Sequence, residues 1–491
     1  MSTGGRWRWR LARHWLLWQP RVRYWSAAAG IGLAAALFAR GADWAHARIT
    51  EWTQWLPLLS LLLAPLGLVA IVGLTRRYAP SAAGSGIPQV LAVLQHKDAA
   101  LRKRMLALHI ALLKPVLAVG AILCGASIGR EGPTVQIGAA IANLVAPRNK
   151  LKIQRSLVLA GGAAGVAAAF NTPIAGIVFA FEELASSFEE KASGTLLMLV
   201  IIAAMVAIAM LGDRVYLGIV DTRIDTLEQW RAVLICGLAG GLCGGLFSRS
   251  LFAGTRAARH YLQRIGLRWV LLCGLLVGLI GIVSSGATYG SGYGETRALL
   301  DDAGAVSPWF PLLKGLATWV SYVSGVPGGI FSPSLAIGAG LGADIAPYLG
   351  FAPAAAVVLL TMAAYFAGTT QAPLTAAVIV AEMTLGQRMI LPLMGAALLG
   401  AGTAKLVWRN SLYHALMHDL LTPPPAPPAE PVPVPASASA SAAPRAEADT
   451  ATTPTMAAVA AAPASVAEPA ASGEAPAEPT AQAPAGEPPR S

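Results

Sequence analysis

Long apolar runs alternate with short ones broken by Gly and Pro, and this alternation predicts two kinds of helix. Leu56 to Leu74, Thr195 to Leu211, Val233 to Phe247 and Ile390 to Val407 reach or approach the ~20 residues that cross a bilayer core. Shorter stretches begin at prolines: Pro133 to Ala146, Pro173 to Leu184, Pro333 to Ala346 and Pro373 to Leu385. Proline suits the first helical position, where its missing N–H would have no partner. Helices of about twelve residues are too short to cross. They are expected to start partway through the membrane, where protein or a water-filled cavity satisfies their free N-termini.

The pattern also repeats at an offset of 200 residues. Leu112-Leu113-Lys114 returns as Leu312-Leu313-Lys314, Ile137-Gly138-Ala139 as Ile337-Gly338-Ala339, and Val178 and Glu182 as Val378 and Glu382. The copies align without a gap over about 112–183 and 312–383. Internal duplication in an apolar chain is a mark of transporters, whose substrate site lies where the halves meet. The copies differ where Gly129-Arg130-Glu131-Gly132-Pro133 lies over Gly329-Ile330-Phe331-Ser332-Pro333, and where Glu183 lies over Met383. Function is therefore sought first at these mismatches.

Composition fixes the class. Hydrophobic residues make up 55% of the chain and charged residues 12%, with a mean hydropathy of +0.58. A soluble protein of this length would need a charged, patterned surface, so the fold class is an all-α polytopic membrane protein. The net charge of +11 divides unevenly, with −5 on residues 422–491 and +16 on the rest. Lys and Arg gather on cytoplasmic loops, so topology accounts for the excess and no nucleic-acid partner is expected. Residues 1–25 interleave Arg6, Arg8, Arg10, Arg13, Arg21 and Arg23 with five Trp, and read as a segment on the cytoplasmic face. Residues 26–421 form the membrane domain. Residues 422–491, rich in Pro, Ala, Ser, Thr and Glu, form a disordered tail. The basic clusters flank both copies, so charge alone leaves the relative orientation of the repeats open.

Three glycine-rich turns open helices: Gly84-Ser85-Gly86-Ile87-Pro88, Gly129-Arg130-Glu131-Gly132-Pro133 and Gly329-Ile330-Phe331-Ser332-Pro333. Glycine lets backbone approach a ligand closely, and the following helix start directs free N–H groups and about half a positive charge at it. Converging turns of this kind make an anion site without a full positive side chain. Glu131, at such a start, is a tethered anion able to compete with a bound one, and a carboxylate at membrane depth is a functional candidate by default. His414 and His418 are four apart but lack a third ligand, and the four cysteines lack metal spacing. No metal or cofactor is expected. With no nucleophile–base pair legible either, the chain is not expected to be an enzyme.

These three segments make the sequence similar to the CLC family of chloride channels and chloride/proton antiporters, over residues 25–420. The resemblance implies two inverted repeats of tilted and broken helices, and a homodimer with one pore per subunit. It places a central chloride site on the Ser85 hydroxyl, the N–H groups of Ile330 and Phe331, and the Tyr413 hydroxyl. It makes Glu131 an external gating glutamate and Glu183 an internal proton-transfer glutamate. Gly84, Gly86, Gly129, Arg130, Gly132 and Pro133 support them. Glu182, matched by Glu382, is read as structural, and Lys114, matched by Lys314, as electrostatic support. A serine in the first turn resembles chloride-preferring members. No nucleotide-sensing domains follow the membrane region, so regulation by that route is not expected. The expected function is exchange of chloride for protons across a bacterial inner membrane, with the N-terminus cytoplasmic. A passive chloride channel of the same fold is the alternative. A cation-coupled carrier of an organic substrate would leave three anion-directed turns unexplained.

Overall fold

A computed structural model describes residues 3–147, 150–185, 194–212 and 215–422, with backbone alone for residues 3–17 and 20. Residues 423–491, and with them nearly all of the expected tail, lie outside the described residues.

The first half comprises α1 (Thr3–Trp55), α2 (Ser60–Tyr78), α3 (Ile87–Gln95), α4 (Ala99–Met105), α5 (Leu108–Leu123), α6 (Glu131–Val145), α7 (Leu151–Phe170), α8 (Pro173–Phe179) and α9 (Gly194–Leu211). The second comprises α10 (Leu227–Arg264), α11 (Leu267–Val283), α12 (Tyr293–Asp301), α13 (Phe310–Val323), α14 (Phe331–Ile345), α15 (Ala354–Thr370), α16 (Pro373–Met383), α17 (Ile390–Val407) and α18 (Leu412–Leu421). Among the described residues, seven helices are long and apolar enough to cross a membrane, and others are shorter. This is a polytopic helical membrane protein.

The offset of 200 is carried by whole helices: α6 recurs as α14, α7 as α15, and α8 as α16. Even the joints match. Asn171 ends α7 at φ 58° and Gln371 ends α15 at φ 63°, both left-handed C-terminal caps. Thr172 and Ala372 then leave the helical region before Pro173 and Pro373, as a residue preceding proline is driven to do.

Contacts between the copies are reciprocal. Gly129 N–H donates to Gly329 O at 2.7 Å and Gly329 N–H to Gly129 O at 2.8 Å, an antiparallel bridge. Glu382 accepts from the N–H groups of Ile174 and Ala175 at 3.1 and 2.8 Å, capping α8. Glu182 accepts from Leu374 and Thr375 at 3.1 and 2.6 Å, capping α16. The two halves are inverted repeats, and Glu182 and Glu382 are a latch between them. Replacing Glu382 with Ala leaves two amides at the start of α8 without their acceptor. The expected cost is about 1–3 kcal/mol, read as a thermal midpoint lowered by several degrees in detergent. An unchanged midpoint would refute the latch.

Two expectations need correction. Pro133 and Pro333 are third, not first, in their helices, which begin at Glu131 and Phe331. This places Glu131 itself on the first free turn. The run at Val233 to Phe247 lies inside a 38-residue helix, α10, whose polar ends concealed its length from hydropathy. The first helix, α1, runs from Thr3 to Trp55.

Small residues let the helices around the site approach closely. A Cβ on Gly161 would lie 2.5 Å from that of Ala142 and collide with the Gly138 carbonyl. At Gly240 it would lie 2.8 Å from the Ala364 side chain. Without a hydrophobic drive between helices in lipid, such close packing is what joins them.

Candidate functional site

All three glycine-rich turns meet. Besides the Gly129–Gly329 bridge, Gly84 N–H donates to Val326 O and Gly328 N–H to Gly84 O, each at 3.1 Å. The starts of α3, α6 and α14 are thereby drawn to one place, and each presents N–H groups with no partner inside its own helix. Neither Ile330 nor Phe331 donates its N–H to an acceptor among the described residues. Gly86 holds φ at +115°, a conformation denied to L side chains.

Glu131 is fully buried at the first position of α6. Its carboxylate crosses to the other repeat: Ser332 Oγ donates to Oε1 at 2.5 Å and Ser332 N–H to Oε2 at 3.4 Å. The acid of one copy thus occupies the helix start of the other, where free amides favour negative charge. Arg130, beside it, turns the opposite way. Its guanidinium donates to Asp43 Oδ1 at 3.0 Å and Ala39 O at 3.3 Å on α1, and lies 5.5 Å from the Tyr216 ring centre. Arg130 therefore pins α6 to α1. A cavity of about 240 Å³, lined by Asp43, Arg130, Phe170, Tyr216 and Tyr293 among others, adjoins this end.

Deeper in, Ser85 and Tyr413 are buried, and their hydroxyls lie near enough to interact. Neither hydroxyl has a hydrogen-bond partner in the strict geometric sense. Two unpaired hydroxyls inside a protein at membrane depth are costly unless something polar occupies the space between them. Tyr413 is also within electrostatic reach of both Glu131 and Glu183. Phe331 closes one side, its ring 4.2 Å from Phe366, 5.2 Å from Phe170 and 6.3 Å from Phe179 between centres. The Tyr322 hydroxyl packs on the Gly84–Ser85 backbone.

Lys114 lies behind the first turn, fully buried, with Nζ donating to Gln136 Oε1 at 2.6 Å. Gln136 in turn donates to Ser81 O and Met105 O. A Cβ on Gly86 would stand 3.0 Å from Lys114 Nζ, so this side chain backs the turn from the rear. Lys314 instead reaches three carbonyls, of Thr288, Tyr289 and Gly290, at 2.9 to 3.3 Å. The repeated lysine has two different uses.

At the other end, the chain widens into a π-helical turn, Ala180–Leu184. Successive residues on a helix diverge by about 100°, so Glu182 reaches α16 while Glu183 turns inward. The buried Glu183 carboxylate accepts from Ser411 Oγ at 3.3 Å and lies 3.4 Å from His414 Nδ1. That last contact has ion-pair spacing but does not close a hydrogen bond.

The structure thus brings Ser85, Glu131, Ile330, Phe331 and Tyr413 together, with Glu183 within electrostatic reach of Tyr413. Sequence reasoning missed Asp43, Tyr216, Tyr322, Gln136, Ser332 and the role of His414.

An inverted-repeat membrane protein with helix starts converging on buried hydroxyls, and with buried carboxylates beside them, is by class an anion-handling transporter or channel. The chain matches the family described as voltage gated chloride channel over residues 66–405, and it belongs to that family, the CLC proteins. It is 30% identical to the "H(+)/Cl(-) exchange transporter ClcA" of Yersinia pestis bv. Antiqua (strain Angola), covering 79% of this chain and 84% of that protein. The same figures hold for the ClcA of Yersinia pseudotuberculosis serotype O:3 (strain YPIII). Among solved structures, a slow cyanobacterial Cl⁻/H⁺ antiporter aligns with TM-score 0.70 at 25% identity, covering 81% of this chain and 98% of that one. A CLC-type fluoride/proton antiporter aligns with TM-score 0.69 at 26% identity, with the same coverage.

Proposed function

We propose that this protein exchanges chloride for protons across the membrane. The observation that carries the reading is that two buried carboxylates, Glu131 and Glu183, both lie within electrostatic reach of the Tyr413 hydroxyl beside that of Ser85. Chloride, stripped of water, is held by those hydroxyls and by the N–H groups of Ile330 and Phe331. No full positive charge touches it, so it is bound weakly enough to leave.

Glu131, in its present position, is the competing anion. When it takes a proton it loses its attraction to the start of α14 and leaves the path open. Glu183 exchanges protons with the opposite side. Kinship with proteins named as proton/chloride exchangers supports the same reading. On that kinship the protein also works as a homodimer with one pore per subunit, in a bacterial inner membrane with its N-terminus cytoplasmic.

The deciding measurement is the reversal potential of the reconstituted protein under crossed chloride and pH gradients. Exchange predicts a potential set by both gradients, displaced from the chloride equilibrium potential whenever the pH differs. A potential that follows chloride alone would establish the passive channel instead. Replacing chloride with fluoride in the same assay tests the anion.

A further inference from the structure

Two titratable neighbours of Glu183, Glu182 and His414, reach water, but Glu182 is held by the amides of Leu374 and Thr375. The Glu183 side chain is 4% exposed, whereas that of His414, 3.4 Å away, is 37% exposed. Both lie at the opening of α18, whose first turn sends adjacent residues to different places. Tyr413 is fully buried beside Ser85, and His414 stands between Glu183 and the surface. Ser411, at the N-cap, donates to the same Glu183 oxygen that His414 faces. An imidazole changes charge between about pH 5 and 8 and can carry a proton on either nitrogen.

We propose that His414 is the proton-transfer residue through which Glu183 exchanges protons with the aqueous phase on its side. This rests on the reading of Glu183 as a proton station. In the inward step the Nδ1–H bond of the imidazolium breaks, and the proton joins Glu183 Oε1. The ring is left neutral with its proton on Nε2. Nδ1 is closed to water where it faces Glu183, so the partly exposed ring turns outward, takes up a proton there from water, and turns back. The reverse sequence releases a proton.

Neighbouring charges leave the pair to itself. Glu182, next in the chain, is held by the amides of Leu374 and Thr375. Of the elements packed on α18, α3 and α15 contain no charged residue, and α15 offers only Tyr365 as a titratable group. Arg259 of α10 is taken by Asp419 at 2.6 Å, further along α18. Tyr413, within electrostatic reach of Glu183, and Tyr322 on α13 lie nearby.

The test uses the full chain in liposomes, with proton flux driven by a chloride gradient and the pH varied between about 5 and 8. His414→Gln should lower proton flux by about a hundredfold, the low end for a positioned proton-transfer group, and flatten its pH profile. His418→Gln, one turn on, should do neither. Free imidazole should restore flux to His414→Gly, which a packing role would not allow. Parental flux in His414→Gln at every pH overturns the relay, as does a loss in His414→Gly that imidazole fails to repair. Proton coupling that survives Glu183→Gln overturns the underlying reading instead, so the two failures are separable.

Discussion

Glu131→Gln should abolish proton coupling and leave chloride flowing. Glutamine has nearly the same shape, and its carbonyl can still accept from Ser332 Oγ, which now donates to the acid at 2.5 Å. The fold around α6 and α14 should therefore persist. What is lost is the charge and the proton. An amide cannot hold the start of α14 as an anion does, and it carries no exchangeable proton. Proton flux should fall by at least about a hundredfold, within the range for removing a proton-transfer group. The reversal potential should move to the chloride equilibrium value, and the pH dependence of chloride flux should flatten. If Glu131→Gln still moves protons against a chloride gradient, Glu131 is not the gate.

This prediction could be framed from sequence because the repeat frame isolates Glu131 as an acid opposite an aromatic ring. The frame is periodic and local, and so were the helix starts, the spans at Thr195 to Leu211 and Ile390 to Val407, and the structural role of Glu182. What the sequence concealed is non-local. Asp43 meets Arg130 across 87 positions and Ser332 meets Glu131 across 201. Neither spacing follows from any helical period. Ser332 sits opposite Gly132 in the frame, and a hydroxyl facing a glycine beside the key acid was a readable hint. His414 was hidden for another reason. The only partner the sequence offered it was His418, a pairing set aside for want of a third ligand, while its actual partner, Glu183, lies on a distant turn. The helix start at Glu131 was also displaced in the sequence reading. Proline marks the first turn but not its first residue, and two residues decide whether an acid caps a helix or begins it.

Gly132→Ala should cost the chloride site much of its affinity while sparing the helix that carries it. Gly132 lies in the first turn of α6 with an ordinary backbone conformation, so alanine is not strained there by its own torsion angles. The difficulty lies across the gap. An added Cβ would collide with Ser85 Oγ and stand 2.8 Å from the Ser85 carbonyl oxygen. The Gly84–Ser85–Gly86 turn has little room to retreat. Its other side is held by Val326 and Gly328 through backbone hydrogen bonds at 3.1 Å and by the packed Tyr322 hydroxyl. Overpacking of this kind costs about 1–3 kcal/mol. If the turn yields, the Ser85 hydroxyl moves off the Tyr413 hydroxyl and the pair no longer meets one anion. Since each 1.4 kcal/mol is about tenfold in binding, chloride affinity by titration calorimetry should fall about tenfold or more. Ser85→Ala removes the hydroxyl directly, and if both changes act on the same contact their losses should not add. Additive losses in the double variant, or unaltered chloride affinity in Gly132→Ala, would place the anion away from Ser85.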